Sequence, residues 1–376
     1  MKFSSVIGHT AVKQRLVNMA KEGRVSHALL FLGNEGSGDL ALALAFAQYL
    51  MCENATEDAC GTCAACLKME KLAHPDVSFS FPVAPKEKIS KPKSLDFIAP
   101  WRAAVIDNPY LSYNDWMESL SLDNKQGIIS VEESGDIVQR LSLRSVEGGF
   151  KIVLMWLPER MNIPAANKLL KIIEEPPAKT LFFMVTENYE LLPTTILSRT
   201  QLVKLNRITD DEMHHALTAR GTDPLASRRI VHRSDGNYNE ALRIVESEGD
   251  DDFAQKFLQW MRACLKLNLE GITQLTQEFA GESRESQKNF IRNALVIVRE
   301  CMLINYGDRS LVRLNEKDFD DISRFAPFVN KANLEEFAAE LNQAHFHLER
   351  NANSRILFTD LSFAMHKLLG KKAEAV

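Results

Sequence analysis

A chain of 376 residues that is 45% hydrophobic and 25% charged has room for two or three domains with real cores. Its net charge of −5 gives no global pull toward nucleic acid or an anionic membrane surface. No apolar run is long enough to span a bilayer, and "MKFSSVIGHTAVKQ" lacks the apolar centre of a signal peptide, so a cytoplasmic chain with reduced thiols and no membrane partner is expected.

Residues 1–205 alternate helical and strand patterns. A helix is predicted over 9–22, and "SHALLFLG" (26–33) is an apolar run stopped by glycine, which reads as a buried strand. The glycine-rich turn "GNEGSG" follows and opens a helix over 39–51. Residues 78–125 interrupt the rhythm: "FPVAPKEKISKPKS" reads as an exposed loop, and "WRAAVIDNPYLSYNDWMESL" carries two tryptophans at partly helical spacing. This region is expected to be an insertion packed on the sheet domain. "GIISVEE" (127–133) is a short strand candidate before a helix over 132–142. Buried strands are predicted at 150–157 and 179–187, with a last one at 201–205. The helix at 162–175 ends where Pro176 and Pro177 forbid its continuation. Strands alternating with helices imply a parallel sheet covered on both faces.

From 206 the strands stop. "TDDEMHHALTAR" opens on the cap pair Thr209–Asp210, and two short helices follow. The acidic "SEGDDD" (247–252) reads as a linker, and helices are predicted over 253–269, 271–280, 284–305, 316–325 and 333–369. The expected organisation is an α/β domain over 1–205, a small all-α unit over 206–248 and a larger all-α unit over 249–376.

Four of the six cysteines crowd into "CENATEDACGTCAAC" as C-x7-C-x2-C-x2-C: Cys52, Cys60, Cys63 and Cys66. A C-x2-C pair places two thiolates on one ion through a tight turn, for which Gly61 supplies freedom, and four sulfurs with no open position make a structural Zn²⁺ site. The alternatives are four free thiols or a thioredoxin-like redox pair; two overlapping pairs plus a fourth cysteine fit zinc better. His74 is a spare ligand candidate, while Cys264 and Cys301 read as small buried apolar residues.

The turn "GNEGSGDL" sits where a P-loop, G-x-x-x-x-G-K-[ST], belongs. Gly33 and Gly38 hold the glycine positions, with Gly36 between them, but Asp39 and Leu40 stand where Lys and Ser or Thr should be. Asp39 repels phosphate where Lys would attract it, and Leu40 offers Mg²⁺ no hydroxyl. The strand "KIVLMW" leads into Trp156 and Leu157 where a Mg²⁺-holding Asp and a water-positioning Glu are needed, and Glu159 comes two places late. The scaffold is kept and the nucleotide chemistry is lost, so no nucleotide-binding residues and no catalytic activity of its own are expected.

The segments "VIGHTAVKQRL", "GRVSHALLFLG", the four-cysteine cluster, "HPD", "AANKLLKIIEEPP" and "LLPTTILSRT" occur in this order. Together they closely resemble the delta-prime subunits of bacterial DNA polymerase III clamp loaders, relatives of the AAA+ ATPases. The resemblance covers 5–76 and 126–205, and "RNANSRILFTDLSFAMHKLL" looks like the last helix of the clamp-loader collar. It implies an AAA+-like α/β domain, a helical lid and a C-terminal collar domain. It also implies a non-hydrolysing member of the polymerase III holoenzyme. Its partners would be the loader's ATPase subunits and clamp-opening delta subunit, with the sliding clamp and primer–template DNA reached within the complex. Asn239 occupies the place of a lid Arg that the ATPase subunits keep. "ILSRT" resembles the Ser-Arg-Cys motif, with Thr200 for Cys, so Ser198 and Arg199 are the catalytic-site candidates, Arg199 as an arginine finger given to ATP on a neighbouring subunit. The rival readings are an ATP-hydrolysing gamma/tau-type subunit, a zinc or thiol-redox protein outside replication, and a stand-alone DNA-binding protein.

Overall fold

Five apolar runs form one sheet: β1 (Ala28–Leu32), β2 (Val77–Ser80), β3 (Lys151–Trp156), β4 (Thr180–Thr186) and β5 (Gln201–Lys204). The computed structural model describes residues 1–86, 89–122, 125–246, 253–282, 284–312, 314, 316–350 and 352–371. The strand order is β2-β3-β4-β1-β5 and every pairing is parallel. β4 is buried along its whole length, as its unbroken apolar run requires of a strand covered on both faces. β5 is an edge strand with Val203 alone buried.

Helices α1 (Thr10–Lys21), α2 (Asp39–Met51), α3 (Ala64–Glu70), α4 (Ile98–Asp107), α5 (Tyr113–Ser119), α6 (Val131–Ser142), α7 (Ile163–Glu174) and α8 (Thr194–Leu197) are interleaved with the strands. α2 is buried almost all round, which fits its run of Ala, Leu and Phe. α7 starts on the Asn162 side chain, which accepts the Ala165 N–H at 2.9 Å, and stops at Glu174 ahead of the two prolines. α9 (Asp210–Ala219), α10 (Pro224–Ser234) and α11 (Tyr238–Glu246) complete this part, with Thr209 and Glu212 forming a capping box at the start of α9. The predicted linker 247–252 lies outside the described residues.

The chain divides into two compact units, Met1–Arg243 and Ile244–Val376. The second is all-helical: α12 (Phe253–Leu265), α13 (Leu269–Gly281), α14 (Arg284–Tyr306), α15 (Glu316–Phe325), α16 (Leu334–Glu349) and α17 (Ser354–Leu369). Phe257, Trp260, Phe279, Phe290 and Phe358 centre its core, and the Trp260 indole N–H donates to Ser362 Oγ at 2.8 Å.

Four expectations need correction. β2 begins at Val77, so the first residues assigned to the insertion are an edge strand of the sheet; its Val/Ser/Phe alternation is too short to stand out from the loop that follows. "GIISVEE" is no strand: Ile128 and Ile129 make isolated bridges to Val83 and Met161, and Ser130 caps α6 from Val131 onward. Residues 81–84 of the supposed exposed loop are buried beneath the insertion's tryptophans. The single helix predicted over 333–369 is two, because Asn353 stops the run and caps α17 with its side chain on the Ile356 N–H.

Candidate functional site

The glycine turn lies between the C-terminal end of β1 and the N-terminus of α2, the position in an open α/β sheet where backbone N–H groups and the helix dipole favour an anion. Gly36 and Gly38 both take positive φ, +70° and +90°. A Cβ on Gly36 would lie 1.8 Å from Asn237 Oδ1, and one on Gly38 would lie 2.6 Å from the ring of Tyr110. The glycines are thus required by packing against this chain's own residues. His9 fastens the turn through Nε2 to the Ser37 carbonyl at 2.7 Å.

Four acidic residues, Glu35, Asp39, Glu159 and Glu187, lie close enough together at the cradle to interact electrostatically. Asp39 is buried and its carboxylate accepts the Leu40 N–H at 2.8 Å; burial, opposed by that hydrogen bond and reinforced by Glu159 and Glu35, lifts its pKa to about 7. Glu159 accepts from Thr186 Oγ1 at 2.8 Å and the Glu187 N–H at 3.2 Å, and burial raises its pKa. Burial first, then Glu35, Asp39 and Glu159, push Glu187 well above the usual carboxylate range. Leu40, on which no Mg²⁺ ligand atom exists, is buried.

Trp156 and Leu157 are buried too. The Trp156 ring meets Trp101 of α4 at 5.1 Å, and Trp101 in turn stacks on Phe81 at 4.2 Å and meets Trp116 of α5 edge-on at 5.2 Å. The end of β3 where metal-binding acids would stand is therefore the anchor of the insertion's aromatic core. The Arg160 guanidinium lies 3.3 Å from the centre of the Tyr113 ring, also from the insertion. Beside Tyr110 a cavity of about 880 Å³ opens, lined in part by Val6, Ile7, Lys13, Glu212 and Tyr238.

The four cysteines converge as their spacing predicted. Cys52 follows α2, Cys60 and Gly61 (φ +77°) make the turn, Cys63 precedes α3 and Cys66 lies within it. Their sulfurs all lie within 4.8 Å of one another, with Cys60–Cys66 at 3.9 Å and Cys52–Cys63 at 4.0 Å. Four sulfurs at ~2.3 Å from one tetrahedral ion stand ~3.8 Å apart, so the donor set fits a metal. Backbone N–H groups already point at the sulfurs: Cys60 to Cys52 at 3.3 Å, and Thr62 and Cys63 to Cys60 at 3.4 and 3.3 Å. The Thr62 and Cys63 donors lower the Cys60 thiol to about 6, whereas burial pushes Cys66 up to about 12 and raises Cys52. His74 is outside the cluster; its Nε2 pairs with Glu147 at 3.0 Å. Cys264 and Cys301 are buried in the second core, as expected.

Arg199 stands two residues before β5, just after α8. It donates to Glu174 from two nitrogens, and its Nη1 donates to the Thr195 carbonyl at 2.9 Å and Ser198 Oγ at 3.2 Å. Ser198 is exposed and Thr200 donates to the Leu197 carbonyl at 3.1 Å. Asn239 is buried between Asn108 and Asp115 of the insertion.

The profile of the family described as "DNA polymerase III, delta subunit" matches residues 8–209, the α/β domain from just before α1 to the start of α9. The chain belongs to this family. Among curated relatives, the DNA polymerase III subunit delta' of Bacillus subtilis is 25% identical over 244 residues, 65% of this chain and 60% of that protein. The delta' subunit of Escherichia coli is 30% identical over 190 residues, 50% of this chain and 45% of that protein. The tau subunit of Salmonella typhimurium is 25% identical over 251 residues, 65% of this chain and 32% of that protein. The chain thus spans about a third to three fifths of the length of these relatives. Both kinds of polymerase III clamp-loader subunit lie at similar distance, so the family does not by itself choose between them. Sequence reasoning missed Glu35, Glu187, Tyr110 and Asp115; the paired tryptophans Trp101 and Trp116 were the one sign that 78–125 had a core role.

Proposed function

We propose that this chain is a non-hydrolysing, delta-prime-type subunit of a DNA polymerase III sliding-clamp loader. In this reading it supplies Arg199 to ATP on a neighbouring ATPase subunit, with residues 206–248 as lid and 249–376 as collar. The observation that carries it is the contrast between two ends of one domain. The chain's own cradle offers carboxylates and a phenol where phosphates and Mg²⁺ would sit, while Arg199 stays partly exposed on the rim. A guanidinium is always charged and can bridge phosphate oxygens, so it suits a task performed on a ligand held elsewhere. The gamma/tau-type reading needs a Lys at Asp39 and acids at Trp156 and Leu157, and the structure buries all three side chains in other contacts. Partners in this reading are the ATPase subunits and the clamp-opening delta subunit, with the sliding clamp and primer–template DNA engaged through the complex. Cys52, Cys60, Cys63 and Cys66 would hold a structural Zn²⁺, which cross-links the end of α2 to α3 and does no chemistry on substrate.

The test is a loader reassembled with Arg199→Ala and assayed for ATP turnover stimulated by clamp and DNA. An arginine finger is worth on the order of 10³–10⁵ in well-studied NTPases. Other sites in the loader dilute the loss, so a clear but smaller fall is expected with assembly intact. Unchanged turnover in an intact assembly would leave Arg199 as a surface residue.

A further inference from the structure

The insertion reaches the glycine turn with side chains that also touch the N-terminal segment and α11. The Tyr110 hydroxyl accepts the Ile7 N–H at 2.9 Å, its ring covers Gly38, and it meets the ring of Tyr238 in α11 edge-on at 4.9 Å. One side chain therefore contacts the N-terminal segment, the glycine turn and the last helix of this unit. A second tie lies beside it. The Asn239 amide donates to Asp115 Oδ2 at 2.6 Å and accepts from Asn108 Nδ2 at 2.6 Å, and Arg243 pairs with Asp115. Asp115 is itself held in place, accepting the Ser112 N–H at 2.7 Å in the capping box of α5. The far side of the insertion is anchored by Trp116, whose indole N–H donates to the Pro82 carbonyl at 2.8 Å, and by the contact of Trp101 with Trp156. The glycine turn joins α11 directly as well, through Tyr238 N–H to the Gly36 carbonyl at 3.0 Å.

We propose that the insertion is a built-in substitute for nucleotide, a bolt that fixes α9–α11 against the sheet domain without ligand. A nucleotide ties such parts together only while bound, so the tie depends on ligand concentration. Residues on the same chain act at an effective concentration that dilution cannot change. A neutral phenol suits this cradle because the acidic side chains around it, whose pKa values burial raises, offer a phosphate no cation. The bolt closes the phosphate end, and the cavity beside Tyr110 is bordered by Val6, Ile7, Glu212 and Tyr238. Asn239 fits the same arrangement, because its short amide bridges Asn108 and Asp115. This inference goes beyond the clamp-loader reading and does not depend on it.

Hydrogen–deuterium exchange on the isolated full chain tests it, with no other subunit or activity in the readout. In Tyr110→Ala/Asn239→Ala, amides at 5–9 and 237–243 should exchange at least about tenfold faster than in the unsubstituted chain, while β1, β3 and β4 keep their protection. Tyr110→Phe keeps the ring and removes one acceptor, so it should fold and speed exchange at the Ile7 amide alone. Unchanged rates at these positions in a folded double variant would overturn the proposal. If the double variant does not fold, an unchanged Ile7 amide in Tyr110→Phe would overturn it.

Discussion

Arg199 donates to one oxygen of Glu174 from both Nε, at 3.1 Å, and Nη2, at 3.0 Å. The pair joins the last residue of α7 to the residue that follows the C-cap of α8, and both side chains are partly exposed, 30% and 56%. Exposed pairs of this kind contribute roughly 0–1 kcal/mol, so a phosphate can displace Glu174 at little cost. Arg199→Ala should therefore lower the unfolding free energy by less than about 1 kcal/mol while reducing loader turnover. Arg199→Lys should fail to restore turnover, because one ammonium cannot reproduce the fork. Urea titration beside the turnover assay separates these effects, and a Lys variant with full activity would show that charge alone suffices.

Protein purified without chelator should contain about one zinc per chain. Cys63→Ser should lose the metal and loosen residues 52–70 while leaving the parallel sheet folded. The loosening should reach the N-terminus, because the Asp58 carboxylate accepts the Phe3 and Ser4 N–H groups at 2.9 Å each. Elemental analysis and limited proteolysis read both outcomes. A metal-free chain with unchanged protease resistance at 52–70 would dismiss the structural role.

Calorimetry with ATP and Mg²⁺ should show no binding at micromolar concentration. Asp39→Lys alone should not restore it, since Glu159 and Glu187 still line the cradle and Tyr110 still covers Gly38. Returning an acid to β3 by Trp156→Asp removes a fully buried ring from the aromatic cluster and places a carboxylate there; a loss of at least ~3–5 kcal/mol is expected. Tight ATP binding by Asp39→Lys would sink this account.

The cradle should also make stability depend on pH. The folded state raises Asp39 from near 3.8 to about 7, mainly by burial, so it binds this proton more tightly than the unfolded chain does. Stability from the protonated carboxyl is complete below about pH 4 and is lost as pH rises to about 7. Asp39→Asn should therefore have little effect near pH 4 and become increasingly stabilising up to pH 7. The gain should level off at a few kcal/mol, because each tenfold difference in proton affinity between the folded and unfolded chain corresponds to about 1.4 kcal/mol. Denaturant titrations across this range measure it, and a benefit that does not grow with pH would refute the buried-carboxylate account.

The sequence by itself determined the local pieces. The apolar runs set four of the five strands, the C-x7-C-x2-C-x2-C spacing gathered four sulfurs, and Pro176–Pro177 ended α7. Each depends on contacts within a few residues, or on a backbone rule that holds in any fold. The losses at Asp39, Leu40, Trp156 and Leu157 were legible for the same reason, since a motif fixes which residue types must be present. Only the tertiary structure decided what took their place. Val77–Ser80 became a strand because β3 lies beside it, and no short run of four residues announces that. Tyr110 meets Ile7 across 103 residues, and Asp115 meets Asn239 across 124. Such pairings arise from how the insertion's tryptophans pack under the sheet domain, a matter of shape in three dimensions that leaves no period or spacing in the chain.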